Sequence, residues 1–122
     1  MVTRFPIRFD SWYGVLSSAL LLPPSSSYVE VGDGQAVARM GWGFRAKFPV
    51  AAVVRTLRLE RRPISRGVHG WDGRWLVNGS GEGIVVIDLD PVQAARVLGV
   101  PVRLRQLMVS VADPDGLRAA LK

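Results

Sequence analysis

His69, the only histidine, with Ser80 and Asp88 could supply the base, nucleophile and orienting acid of a covalent mechanism. A hydrolytic triad needs nucleophile, base and orienting acid in hydrogen-bonded order beside an oxyanion site. Asn78-Gly79-Ser80-Gly81 is not a nucleophile elbow, because that motif has glycine two residues before and two after the serine, where Asn78 and Glu82 stand. A turn serine and a strand histidine are the plainer reading, and a hydrolase using His69 ranks last among the functions considered. Asp88 and Asp90 share a strand parity and have the chemistry to hold a divalent cation or act as paired carboxylates. With a single histidine in the chain, and Asp90 suited to capping a helix, a solvated acidic face is the simpler account. Neither a metal nor a cofactor is expected. The glycines at 79, 81 and 83 fit no dinucleotide or phosphate-loop fingerprint, since no Lys-Ser/Thr pair follows and Ile84 occupies the third-glycine position.

The arginines remain. The net charge is +6, carried by fourteen Arg against two Lys. Arginine suits bidentate recognition of phosphate and carboxylate, so the balance points to anionic partners. Three groups stand out: Arg39, Arg45 and Lys47 on one strand parity; Arg58, Arg61, Arg62 and Arg66 around one loop; and Arg103 with Arg105. If two of these groups converge they form a phosphate-binding surface, and if not they are solvated charges. Trp71, Trp75 and Tyr28 are the aromatics expected to be exposed. That is thin support for stacking on single-stranded nucleic acid. The residues from Gly67 to Gly83 hold six glycines and two of the four tryptophans. The expected contact surface is accordingly Trp71, Arg74 and Trp75, with Arg58, Arg61, Arg62 and Arg66 as electrostatic support.

These residues need a rigid frame, and period-two alternation supplies one. Phe5, Ile7 and Phe9 alternate with Arg4, Pro6 and Arg8 as a first strand. Trp12, Val15, Leu16, Ala19 and Leu20 then recur at helical spacing until Pro23-Pro24, followed by a low-complexity linker to Ser27. Residues 28–31 and 35–40 predict a hairpin about Gly32-Asp33-Gly34. The alternation continues through Met40, Trp42, Phe44, Ala46 and Phe48 as core, with Arg39, Arg45 and Lys47 outward and a bend at Gly41-Trp42-Gly43. A strand over 53–60 places Val53, Leu57 and Leu59 inward. Asp72-Gly73 is a type I′ hairpin turn, which pairs Trp71 with Arg74, Gly70 with Trp75, His69 with Leu76 and Val68 with Val77. In that register the Trp75 indole covers the gap left by Gly70. A second reversal at 78–83 leads into the strand holding Val85, Ile87 and Leu89. Asp90-Pro91 has the grammar of a short helix ending at Gly99, although Val97 to Arg105 also reads as extended chain. Leu107 to Val111 is a last strand, and Asp113-Pro114-Asp115 opens a terminal helix with Leu117, Ala120 and Leu121 on its apolar stripe.

About seven strands and one closing helix make a mainly β domain, an antiparallel barrel or sandwich spanning residues 1–122. The absence of cysteine excludes disulfides and thiolate chemistry. No stretch reaches the about 18 apolar residues of a membrane span, and the N-terminal residues lack a signal-peptide cleavage pattern. The apolar fraction of 48% hints at self-association or a greasy partner.

The order of elements, with VARMGWGFRAKFP, GVHGWDGRWLVNG and MVSVADPDGLRAAL, resembles the bacterial pleckstrin-homology-like domains of uncharacterised proteins. The resemblance covers roughly residues 28–121, with 1–27 as an N-terminal strand, helical segment and linker. It implies a barrel whose last strand passes through an Asp-Pro step into a plugging helix, and a binding module without chemistry of its own. Eukaryotic relatives bind phosphoinositides through a basic loop between the first two strands. The corresponding Gly32-Asp33-Gly34 is short and acidic, so that specificity does not carry over. The expected function is a non-enzymatic binding module, cytoplasmic or peripheral at the inner membrane face, which contacts a protein partner or anionic lipid headgroups. Nucleic-acid binding through the same arginines is the alternative, and homo-oligomerisation is a further expectation.

Overall fold

The structure is a computed structural model that describes residues 2–8, 27–41, 43–59, 67–78, 80 and 82–122, with the backbone alone at Val68, His69 and Trp71. The expected helical segment before Pro23, the core position of Trp42, and the loop arginines Arg61, Arg62 and Arg66 lie outside the described residues.

The strands are β1 (Val2–Pro6), β2 (Ser27–Gly32), β3 (Gln35–Met40), β4 (Phe44–Pro49), β5 (Val53–Arg58), β6 (Gly67–Trp71), β7 (Arg74–Asn78), β8 (Ile84–Val97) and β9 (Val100–Ser110), and the helix α1 spans Pro114–Ala120. They form one sheet in the order β1-β2-β3-β4-β8-β9-β7-β6, with β5 also paired to β8. The sheet curls into an open half-barrel. At one corner it meets itself: the Arg8 amide donates to the Ser110 carbonyl, the Ala112 amide donates to the Pro6 carbonyl, and Ile7 bridges Val111.

The concave face is the core. Phe5, Val29, Ala38, Met40, Phe44, Phe48, Val85, Ile87, Leu104, Leu107, Val109 and Leu117 belong to one buried cluster. Small alanines at 36, 38 and 46 alternate with the larger side chains, which lets the tightly curled strands interdigitate. Helix α1 seats Leu117 and Leu121 against this core. Its first turn is capped as expected, with the Asp113 carboxylate accepting from the Gly116 amide at 3.0 Å and Pro114 opening the helix. Asp113→Ala is expected to lower stability by about 1 kcal/mol in urea unfolding. An unchanged midpoint would show that packing alone holds the helix.

Four expectations are corrected. First, the sheet has nine strands and is mixed: β7 pairs parallel with β9, from Arg74↔Gln106 to Val77↔Val109. One side of β8 is filled by β9 and the other by β5 and β4, so β7 takes the free edge of β9. Since β8 runs against both, β7 and β9 point the same way. Second, the residues after Asp90-Pro91 are extended, and the sheet, not a helix, holds 91–97. The pairing shifts register between Asp88 and Gln93, and the Asp90-Pro91 peptide bond is cis. An Asp-Pro step imitates a helix start because the first helical position tolerates a residue without an amide donor, and so does a strand where its pairing is interrupted. Third, Asp90 is an exposed strand residue and caps nothing. Fourth, Leu57 pairs with Val86, not with the core residues Val85 and Ile87. A bulge between Val53 and Arg55 inserts one residue and turns the rest of β5 over, so only Val53 of that parity packs on the core.

Candidate functional site

Directly opposed residues of neighbouring strands share a face of the sheet, so the register fixes the composition of the convex surface. Tyr28 pairs with Arg39, Arg39 with Arg45, Arg45 with Arg96, and Arg96 with Pro101. Three arginines therefore stand side by side on β3, β4 and β8, in positions where Cβ atoms are about 5 Å apart. One step along, Lys47 is exposed on β4, and the Ala94↔Arg103 pair joins β8 to β9. Among the described residues no carboxylate forms a salt bridge with Arg39, Arg45, Lys47, Arg96 or Arg103. The acids that are paired engage other bases: Glu30 takes Arg4 at 2.9 Å, Glu82 takes Arg8 at 2.9 Å, and Asp88 takes Arg55 at 2.9 Å.

Between these side chains lies a shallow depression of about 300 Å³, walled by Arg45, Lys47 and Arg96 and floored by Ala94 and Pro101. Ala94 keeps the floor low while the cations rise around it, and an anion fits such a shape. Two guanidiniums are already oriented by the backbone. Arg39 Nε donates to the Gly41 carbonyl at 3.1 Å, and Arg96 Nη1 donates to the Gly99 carbonyl at 3.1 Å. Each keeps further N–H groups for a ligand. Tyr28 closes the row at β2, half-buried, with the Arg4 guanidinium 4.0 Å above its ring.

The hairpin β6–β7 has the expected register, Trp71↔Arg74 through Gly67↔Asn78. Asp72 and Gly73 both have positive φ, 54° and 77°, as a type I′ turn requires. A Cβ built on Gly70 would land in the Trp75 ring, so the indole fills the place of the missing side chain. Trp75 is thus half-buried against the core, whereas Arg74 is exposed. The tip leans on β9: the Gly73 carbonyl accepts from the amides of Arg105 at 2.7 Å and Gln106 at 3.2 Å, and Arg105 Nη2 lies 3.7 Å from the Asp72 carboxylate. Arg103 and Arg105 therefore bridge from the hairpin tip to the arginine row.

Arg58 is elsewhere. It pairs with Val85 on the concave side of β5, beside α1, with Nη1 3.8 Å from the Asp115 carboxylate. Strands β8 and β9 separate it from Arg74. Of the residues in the candidate triad, Asp88 accepts from Gln106 Nε2 at 2.8 Å and from Arg55 Nε at 2.9 Å, and the buried Ser80 hydroxyl accepts from the Glu82 amide at 3.1 Å. These groups are engaged in holding the sheet and its turn. Among the described residues no three His, Cys, Asp or Glu side chains cluster as a metal site, and no helix is long and apolar enough to cross a membrane.

Arg96 is the residue that sequence reasoning passed over, because 91–98 was left open between a short helix and extended chain. The usable signal was the alternation of exposed Ala94 and Arg96 with Ala95 and Val97, a period of two. No family model, no curated protein and no solved structure matches the chain.

Proposed function

We propose that the protein is a non-enzymatic binding module whose convex arginine row holds a polyanionic surface, namely the anionic headgroups of a bilayer. The observation that carries this reading is the juxtaposition of Arg39, Arg45 and Arg96 as direct cross-strand neighbours. Like charges so placed weaken a sheet, by about 0.5 kcal/mol per pair. A phosphate-rich partner converts that repulsion into charge-assisted hydrogen bonds. The curled sheet and the Asp-Pro entry to α1 also support the pleckstrin-homology-like reading, with the parallel β7–β9 pairing as a departure from its antiparallel pattern. Peripheral attachment at an inner membrane face follows from the same charge.

The test is co-sedimentation with vesicles of phosphatidylcholine alone and of phosphatidylcholine mixed with phosphatidylglycerol. Binding is expected only to the mixed vesicles, and is expected to fall steeply as salt is raised from roughly 0.05 to 0.2 M, since exposed charges are then screened beyond about 10 Å. Equal binding to both vesicle types would overturn the reading.

A further inference from the structure

The convex row ends at a feature that charge does not explain. The β8–β9 hairpin turns at Leu98-Gly99, where φ is 51° and 79°. The same positive-φ pair occurs in the turns Asp33-Gly34 (54° and 77°) and Asp72-Gly73 (54° and 77°). At both of those turns the first position is aspartate, which tolerates the left-handed region. At the third it is a leucine, a branched apolar side chain in a conformation such residues avoid. Leu98 is 59% exposed, and Val100, paired with Val97 on the concave side of the turn, is 60% exposed. Exposed Pro101 follows. Val2, Val54 and Val92, the other large apolar residues exposed among those described, do not sit at one turn in this way. An outlier of this kind, strained and unprotected from water, points to a use.

We propose that this tip is a membrane wedge: Leu98 and Val100 enter the acyl boundary of an anionic bilayer while Arg96, Arg45 and Arg103 grip its phosphates. The inference rests on the reading of the arginine row as a polyanion surface and adds what lies beyond the headgroups. Spacing supports it. Leu98, in the turn two residues past Arg96, lies at most about 7 Å further along the hairpin, within the roughly 5 to 10 Å between headgroup level and the depth reached by interfacial apolar side chains. The tip is also stiff. The Leu98 amide donates to the Gly43 carbonyl at 3.0 Å, and Arg96 holds the Gly99 carbonyl from below. The apolar groups are aliphatic, which suits hydrocarbon better than the aromatic stacking that single-stranded nucleic acid calls for.

The test compares the full chain with Leu98→Asn, Val100→Ser and Arg45→Glu on two probes: the mixed vesicles, and soluble inorganic polyphosphate, which has charge but no hydrocarbon. Each tip variant is expected to lower vesicle partition by about tenfold, the scale of partly burying one aliphatic side chain. Each should leave polyphosphate binding unchanged. Leu98→Asn should melt no lower than wild type, because asparagine accepts positive φ, so its loss of partition will not be a folding defect. Tip variants that partition like wild type, while Arg45→Glu loses both probes, would overturn the wedge and leave the arginine row standing. If Arg45→Glu loses neither probe, the arginine reading fails and the wedge with it. If wild type ignores vesicles but self-associates through the tip, or binds oligonucleotides independently of it, the wedge is overturned in favour of that partner.

Discussion

Gly83→Ala is expected to lower the stability of the protein by about 3 kcal/mol. Gly83 has φ of 69°, which alone costs an alanine about 1 kcal/mol. The rest comes from what stands in front of it. A Cβ there would collide with the carbonyl oxygen of Val111, and backbone cannot rotate aside as a flexible side chain can. The same stretch of backbone carries a bond from the Val111 amide to the Gly83 carbonyl at 3.0 Å.

That contact sits where the half-barrel closes on itself. Residues 6–8 and 110–112 exchange backbone hydrogen bonds, the Ser110 hydroxyl donates to the Arg8 carbonyl at 2.9 Å, and Arg8 pairs with Glu82. Moving Val111 therefore loosens β1, β9 and the entry to β8 together. Gly34→Ala is the matched control, because its φ is 77° and no atom lies within 4 Å of the added Cβ. It should cost about 1 kcal/mol, the conformational part alone. The comparison is made by thermal melting, where the Gly83 variant should fall by roughly 10 °C and the Gly34 variant by a third of that. Equal shifts would mean that the corner yields freely.

Local grammar was legible in the sequence, and long-range pairing was not. The Asp72-Gly73 turn set the β6–β7 register residue by residue, because a two-residue turn leaves one choice of pairing. The Asp113-Pro114 start of α1 was equally plain. The misreadings arose where a neighbour decides. Nothing near Val54 announces the bulge that turns Leu57 over, since a bulge answers to the partner strand. The parallel β7–β9 pair depends on both edges of β8 being occupied, which no local window contains. The candidate site shows the same limit. Arg39, Arg45 and Lys47 could be assigned to one face by parity, but Arg96 joins them only because β4 meets the far half of β8, some fifty positions later in the chain. The residues expected to carry binding were chosen for local rarity, whereas the structure concentrates charge with no carboxylate partner among the described residues on a face made of common ones.

Arg45→Glu tests that face, and its two expected consequences have opposite signs. Arg45 stands between Arg39 and Arg96 in direct register with both. A glutamate would replace two repulsive pairs with two attractive ones, so stability should rise by about 1 kcal/mol in urea unfolding. Affinity for phosphatidylglycerol-containing vesicles should fall by about thirtyfold, because reversing one charge removes two units from a surface where each is worth about 1 kcal/mol. A variant that is more stable and yet binds less cannot have lost binding through unfolding. The salt dependence should shrink as well, and wild type and variant should converge near 1 M salt, where screening acts within about 3 Å. Arg58→Glu makes the same charge change on the concave side, beside α1, where Arg58 lies 3.8 Å from Asp115. If net charge alone drives attachment, the two reversals will weaken binding equally, and the convex row has no special role. If the row is the binding surface, Arg58→Glu should cost no more than the nonspecific share, within about threefold of wild type.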